Sequence, residues 1–243
     1  YRSYSARCTV ATLQEPPLDP SAALAAPLSD GIIYSKNVLL YAPRRIMQGF
    51  DLTESGSIYY SQVGSDGATL NICRAAGPGL NAQTDYMILK YFGHGTQIVA
   101  EEASDGKTHI WLNSNASVDK SGEYGDNWSV SRVEFVPGAT SDAGYAGETF
   151  FLNKDGQYDQ QVSIDFGARR LLIGSRRSGV RYFWIFDLDE VLALPLKEMT
   201  VSVTVGGGTG DGEKQTVERK IMGHDLNDCR VLGNFSFLSL IHI

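Results

Sequence analysis

The sequence predicts an all-β protein. From about Arg45 the chain is a series of short β-branched or aromatic runs separated by Gly, Asp, Asn or Ser. The turns between these runs are explicit. Several runs are also apolar at consecutive positions, so neither face of the strand suits water. With 26 glycines and 10 % aromatic residues in 243, the composition fits many short strands joined by tight turns.

The strands follow in order. "SIYYSQV" and "TLNICRA" flank the turn "GSDG" at Gly64–Gly67, and "YMILKYF" leads through Gly93–His94–Gly95 into "TQIVAEE". The turn "SDGK" at Ser104–Lys107 then joins "TQIVAEE" to "THIWLNS", and "SVSRVEFV" follows. Past "NKDG" at Asn153–Gly156 come "QVSIDF", "RRLLIGS", "RYFWIFDL" and "MTVSVTV". Only "DLDEVLALPLKEM", Asp187 to Met199, has helical character; its acidic start and Pro195 limit it to about two turns.

In "RYFWIFDL", Tyr182, Trp184 and Phe186 alternate with Phe183 and Ile185, and "YMILKYF" behaves the same way. Sheets buried on both sides yet joined by short hairpins are what propeller blades are, whereas a sandwich should leave polar outward positions on most strands. A weak repeat agrees: Met47–Val63 aligns with Gly93–Ser114, and a looser copy runs from Tyr158 to Leu188. We expect a β-propeller that is a partial ring, with three to four recognisable blades of a five- or six-bladed whole. The fourth would begin near "VERKIMGHDL".

Totals exclude several classes. A net charge of −7 argues against a general nucleic-acid binder. Cys8, Cys73 and Cys229 share no CxxC spacing, so neither a structural zinc site nor a disulfide framework is expected, and no cofactor is expected either. No run reaches the ~18 apolar residues of a membrane span. Residues 1–44, with "PPLDPSAALAAPLSDG", read as a linker or the remnant of a preceding region, and 45–243 as the blades. The chain reads as a fragment or a processed product. Its ending, "NFSFLSLIHI", stops in an apolar run with no turn or cap, so Leu238 onward carries little weight.

"MQGFDLT…IYYSQVG", followed by "YMILKYFGHGTQIVAEE…KTHIWLNSNA" and "SVSRVEFVPG", resembles a propeller family with two branches. One comprises receptor-binding proteins of phages that attack Gram-positive hosts, the other a teichoic-acid-operon propeller protein. Helveticin-type bacteriocins look like more distant relatives. The pattern is a Gln-Gly-Phe inner strand, a Gly-His-Gly inner strand, a Tyr/Ile-Trp strand and an Arg-Val/Phe-x-Phe strand. It covers roughly Arg45 to Leu194 and is densest from Tyr86 to Pro137. These are structural residues, so they speak more for fold than for activity. The resemblance implies an extracellular, cell-surface or virion-borne propeller that recognises cell-wall polysaccharide or teichoic acid, and it draws attention to Gln48. The loops "SVDKSGEYGDN" and "GATSDAGYAGET" look like insertions of this sequence's own.

Each candidate site has a structural alternative. His94, between two glycines at the head of an inner strand, could donate to a sugar hydroxyl or a phosphate, or could pin a turn. Arg176, Arg177 and Arg181, with Arg169 and Arg170, form a run of five arginines in an acidic protein. Their forks suit phosphate and carboxylate oxygens, although charges on outer strands also protect sheet edges. Tyr124 and Trp128 lie in the polar stretch "GEYGDNW" and would serve as platforms for a sugar ring; Trp111 reads as core. Glu101 and Glu102 are neighbours on one strand, point to opposite faces and cannot flank one glycosidic bond. They read as a solvated strand end, and a glycosidase would need a distant partner such as Asp51 or Asp165. No catalytic or metal residue is therefore assigned. The expectation is a non-catalytic glycopolymer-binding propeller; the alternatives are a glycan-cleaving propeller or a helveticin-like bacteriocin.

Overall fold

The computed structural model describes residues 40–42, 44–66, 69–75, 85–117, 127–142, 147–152, 158–205 and 215–238. The protein is all-β, with one short helix among the described residues. Its first sheet is an antiparallel meander of β1 (Met47–Leu52), β2 (Ile58–Val63), β3 (Thr69–Ala75) and β4 (Asp85–Lys90). A short parallel strand, β8 (Thr140–Asp142), extends it. The second repeats the meander with β5 (Ile98–Glu102), β6 (Thr108–Ser114), β7 (Ser129–Glu134) and β9 (Glu148–Phe151). The third uses β10 (Tyr158–Asp165), β11 (Arg170–Arg177), β12 (Val180–Asp187) and, after a long excursion, β15 (Val231–Leu238). The excursion is a hairpin of β13 (Leu196–Val205) and β14 (Gln215–Asp225), added to the outer edge of the second sheet through parallel pairing of β14 with β9.

The three sheets are stacked. Tyr59, Leu70, Ile72, Met87 and Leu89 of the first pack against Ile98, Ala100, Ile110, Leu112 and Val133 of the second. The other face of the second sheet, with Val99, Trp111, Val130 and Phe150, packs on Val162, Leu171, Ile173 and Phe186 of the third. Alternation along β5 and β6 thus sends apolar residues both ways, as a strand between two layers requires. Each such side chain contributes about 1.5–3 kcal/mol relative to exposure. The doubly apolar runs of the sequence belong to this arrangement, with one difference. In β12 Phe186 is buried and Trp184 packs half-buried beside it in the core between the sheets, while Phe183 and Ile185 on the other side are half-buried, and Phe183 stacks on the exposed Phe235 at 4.9 Å between ring centres.

The leading strands β1, β5 and β10 head their sheets, and β1 and β5 run in the same direction. Gly49 lies against the Gly95 and Thr96 carbonyls, the Asp51 carboxylate accepts from the Ala100 N–H at 2.9 Å, and Ser55 N–H donates to Glu102 at 3.1 Å. A buried hydroxyl ladder crosses the second sheet. Ser131 Oγ donates to Ser114 Oγ (2.6 Å) and lies 2.9 Å from Thr149 Oγ1; Ser114 and Ser129 are 2.7 Å apart, and Asn115 Nδ2 donates to Ser129 Oγ (2.7 Å). In this way the buried hydroxyls partner one another.

Three local expectations change. The helix α1 spans only Leu188–Leu192, because Asp187 caps the N–H groups of Asp189 and Glu190, and the chain turns before Pro195. The strand expected at "MTVSVTV" begins earlier, at Leu196, as β13, whose ten residues pair with β14 throughout. The stretch near "VERKIMGHDL" opens no fourth sheet: it is β14, and the chain then returns through a 3-10 turn at Leu226–Asp228 to place β15 in the third sheet. Three sheets, with no closed ring, account for the described strands. "GATSDAGYAGET" is also more than an insertion, since Thr140–Asp142 forms β8 on the first sheet. No helix among the described residues is long and apolar enough to cross a membrane.

Candidate functional site

At the end where β1, β5 and β10 begin, here the leading end, the first two sheets part to form a cleft of about 340 Å³. Its lining comprises Arg44, Arg45, Ile46, Gln48, Val63, His94 and Thr96. Each polar residue is placed by a specific local device. The ladder between β1 and β2 slips between Met47 and Gly49, so Gln48 is the extra residue of a β-bulge and leaves the regular pairing. His94 sits in the turn before β5, between Gly93 (φ 67°) and Gly95 (φ 61°), both left-handed. Any side chain at Gly95 would meet Leu70, its Cβ only 2.7 Å from a methyl. The turn is clamped to β1 by Ser61, whose Oγ donates to the Gly95 carbonyl (2.5 Å) and accepts from Gly49 N–H (3.1 Å).

The two arginines are held by a buried amide. Gln62 is fully buried, donates through Nε2 to the carbonyls of Ala42 (3.0 Å) and Arg45 (2.9 Å), and accepts from Ala42 N–H (3.0 Å). Arg45 then extends its guanidinium to the Ser65 carbonyl at 2.8 Å. Leu40 and Tyr41 pack on the outer face of the first sheet, Tyr41 stacked on Tyr86 at 3.9 Å. Residues 40–42, assigned from sequence to the preceding segment, thus fix the start of β1 and the cleft.

Gln48 and His94, singled out separately in the sequence, are brought together here. Arg44, Arg45 and Thr96 were missed. Their signal was a pair of adjacent arginines just ahead of a leading strand in an acidic chain, but they fell at the assumed domain boundary.

The other candidates lie elsewhere. The five arginines form two groups, separated by the length of β11. At its start Arg169 pairs with Asp189 and Arg170 with Asp187 (2.5 and 2.7 Å). At its end Arg176, Arg177 and Arg181 lie at the leading end of the third sheet. There Arg181 pairs with Asp159 at 3.0 Å, and Arg176 sits over the Tyr158 ring, 5.0 Å from its centre. Trp128 is half-buried beside Tyr158, 6.1 Å between ring centres, and packs on the outer cluster of Phe151, Val201, Val203 and Ile221. Its position is that of a packed side chain rather than a ring standing in a polar loop. Tyr124 lies outside the described residues. Trp111 is fully buried, as expected.

The opposite, trailing end holds a closed charge network that the sequence did not announce. Glu101 was read as part of a solvated strand end. Instead its carboxylate accepts from Arg132 Nε (2.7 Å), Arg132 Nη2 (3.2 Å) and the Trp111 indole N–H (2.8 Å). Arg132 also donates to Glu148 (2.9 Å) and lies 3.2 Å from His109 Nδ1. Cross-strand pairing explains the meeting: Glu101 faces His109, which faces Glu134, while Trp111 faces Arg132, which faces Glu148. Burial pushes the Glu101 carboxyl up, but the hydrogen bonds from Arg132 and Trp111 and the Arg132 charge outweigh it and hold it below the usual carboxylate range. Burial and then Arg132 hold His109 below its ordinary value, which favours the neutral ring.

The acids proposed as partners of Glu101 are also engaged: Asp51 with Ala100 N–H and Asp165 with the turn N–H of Ala168 (2.8 Å). The second Gly-His pair is packing: Gly223 lies against the Phe151 ring, and buried His224 stacks on Phe150 and bonds through Nδ1 with the Leu194 carbonyl at 2.8 Å. Asn115 and Asn127, two of the three Asn-x-Ser sites, are buried, at most 1 % exposed, so neither presents an acceptor for a glycan. Compared with known proteins, the chain matches no protein-family model and no curated protein.

Proposed function

We propose that the chain is part of an extracellular, cell-surface or virion-borne β-propeller that binds carbohydrate or anionic cell-wall glycopolymer without cleaving it, its three stacked meanders being three blades. The observation that carries the reading is the leading-end cleft, where Gln48 and His94 meet Arg44 and Arg45. The resemblance of Arg45–Leu194 to cell-wall-recognising propellers supports it, as does the placement of Arg176, Arg177 and Arg181 at the leading end of the third sheet. Binding would combine several weak polar contacts repeated along a polymer, so that avidity offsets modest affinity. A hydrolase is not favoured, because Glu101, Asp51 and Asp165 each hold structural hydrogen bonds. The purified protein should sediment with Gram-positive cell walls, and less so after chemical removal of teichoic acid. Equal sedimentation with stripped walls would remove the anionic-polymer part of the proposal, and absence of sedimentation with either would remove all of it.

A further inference from the structure

We infer that the outer border of β13 is a pairing edge, which takes the β13 of a second copy of the chain in antiparallel register and so joins two second sheets into one. The inference does not rest on the glycopolymer reading. Three observations lead there.

The first is the direction of the backbone. β13 pairs with β14 at every position with no slip of register, so its N–H and C=O groups point alternately toward β14 and away from it. Thr204 fixes which residues point away. Its N–H donates to Ser117 Oγ at 3.1 Å, off the strand pair. Its hydroxyl lies 3.4 Å from that of Thr216, the close approach of a non-hydrogen-bonded pair. By the same alternation Glu198, Thr200 and Ser202 turn their N–H and C=O groups outward. Among the described residues no further strand follows β13 in the sheet.

The second is that the usual defences of a sheet edge are missing. "LKEMTVSVTV" contains no proline and no bulge, and its β-branched and hydroxyl residues favour extension. Its two charges stand at one end and are already engaged, Glu198 with Lys220 at 2.8 Å and Lys197 with Asp228. Val201 and Val203 anchor the strand in the cluster of Phe151 and Ile221, while Thr200 and Ser202 are exposed. β13 also lies at the border of the second sheet opposite β5, the strand that bonds to the first sheet. Sheets added to the stack cover faces and leave this border open.

The third is self-complementarity. An antiparallel partner must present outward groups at the same two-residue spacing, and β13 itself does. Centred on Thr200 or Val201, two copies set Glu198 opposite Ser202 or Thr204 of the partner subunit, and no like charges face each other. About six hydrogen bonds form, two for each directly opposed outward pair. Pairing uses the edge of both copies, so assembly closes at two.

Sedimentation equilibrium and amide hydrogen exchange of the chain across a dilution series test this. A contact confined to one strand pair is small, so the expected Kd is micromolar and the chain should be mostly dimeric at about 100 μM. Dilution should speed exchange at Thr200 and Ser202, while Val201 and Val203, bonded to β14, stay slow. Thr200→Pro removes an outward N–H and none of the β14 ladder, and should weaken association about tenfold or more. Thr200→Lys sets a charge at the centre of the pairing and should do the same with an unchanged Tm; it decides if the proline variant melts early. Phe235→Ser, on the exposed face of the third sheet, should leave the dimer intact. A parent that stays monomeric at that concentration overturns the inference. So does a dimer that survives Thr200→Lys, or one lost in Phe235→Ser alone. Species that grow beyond two copies overturn it as well, because a closed pair leaves no edge to extend.

Discussion

The trailing network and the leading-end cleft treat charge in opposite ways. At the trailing end Glu101, Arg132, Glu148 and His109 form one network, and Arg169 and Arg170 meet Asp189 and Asp187. In the cleft Arg44 and Arg45 lie with His94 and Gln48, and the hydrogen bonds of Gln62 and Ser61 beside it hold backbone. A charge matched across strands is satisfied by the fold. Cations gathered on fixed backbone, with no carboxylate in the lining, are what a ligand would satisfy. The difference teaches that surroundings decide what a residue does, since Glu101, bound into a network, and His94, lining a cleft, lie only a few residues apart in the same stretch.

The largest expected effect breaks the trailing end. Arg132→Met strands the Glu101 carboxylate, whose side chain is 12 % exposed, and should cost about 3 kcal/mol, or about 10 °C in Tm, by calorimetry. Adding Glu101→Gln should recover most of the loss. An undiminished Tm for Arg132→Met would show the network to be incidental. A smaller effect is expected at the leading end. Gly95→Ala forces a side chain into φ 61° and against Leu70, for about 2 kcal/mol, and by displacing the His94 turn it should also weaken polymer binding in the wall-sedimentation assay. Arg132→Met should leave that binding unchanged where both proteins are folded. If the two variants weaken binding equally, the division between the ends fails.

The smallest effect is in pH dependence. Glu101 is held below its ordinary value of 4.5, so its contribution is fully present above that value and is lost as pH falls through the folded-state value. Urea midpoints of the parent should therefore fall more steeply below about pH 4.5 than those of Glu101→Gln, with parallel profiles above it. Parallel profiles throughout would mean that Arg132 does not hold the carboxylate.

Much of the fold was legible because its signals are local. Runs such as "TQIVAEE" and "THIWLNS" announce strands and their turn directly, and the doubly apolar pattern of β5 and β6 follows from packing between two sheets. Long-range partners were not legible. Nothing in "MTVSVTV" says that its hairpin joins the second sheet through two parallel pairs, or that the chain then returns to finish the third. The site divides likewise. His94 was marked by its flanking glycines, whereas Arg44 and Arg45 acquire meaning only once Gln62 ties their turn to β2. The dipeptide Gly-His also shows the limit: at Gly93–His94 it builds a turn beside a cleft, and at Gly223–His224 it lets two strands approach and a ring stack. Identical letters carry different work because the surroundings differ.

The ladder of Ser114, Ser129, Ser131 and Thr149 acts as a key for strand alignment. β6 and β7 are largely buried on both sides, and sliding one past the other by two residues would preserve which face each side chain occupies. Such a slide would set hydroxyls against methyl groups and leave buried oxygens without partners. Each stranded group costs about 1–3 kcal/mol. Four small polar side chains in the middle layer thereby make one alignment cheap and its neighbours expensive, a discrimination that oily contacts alone would not provide.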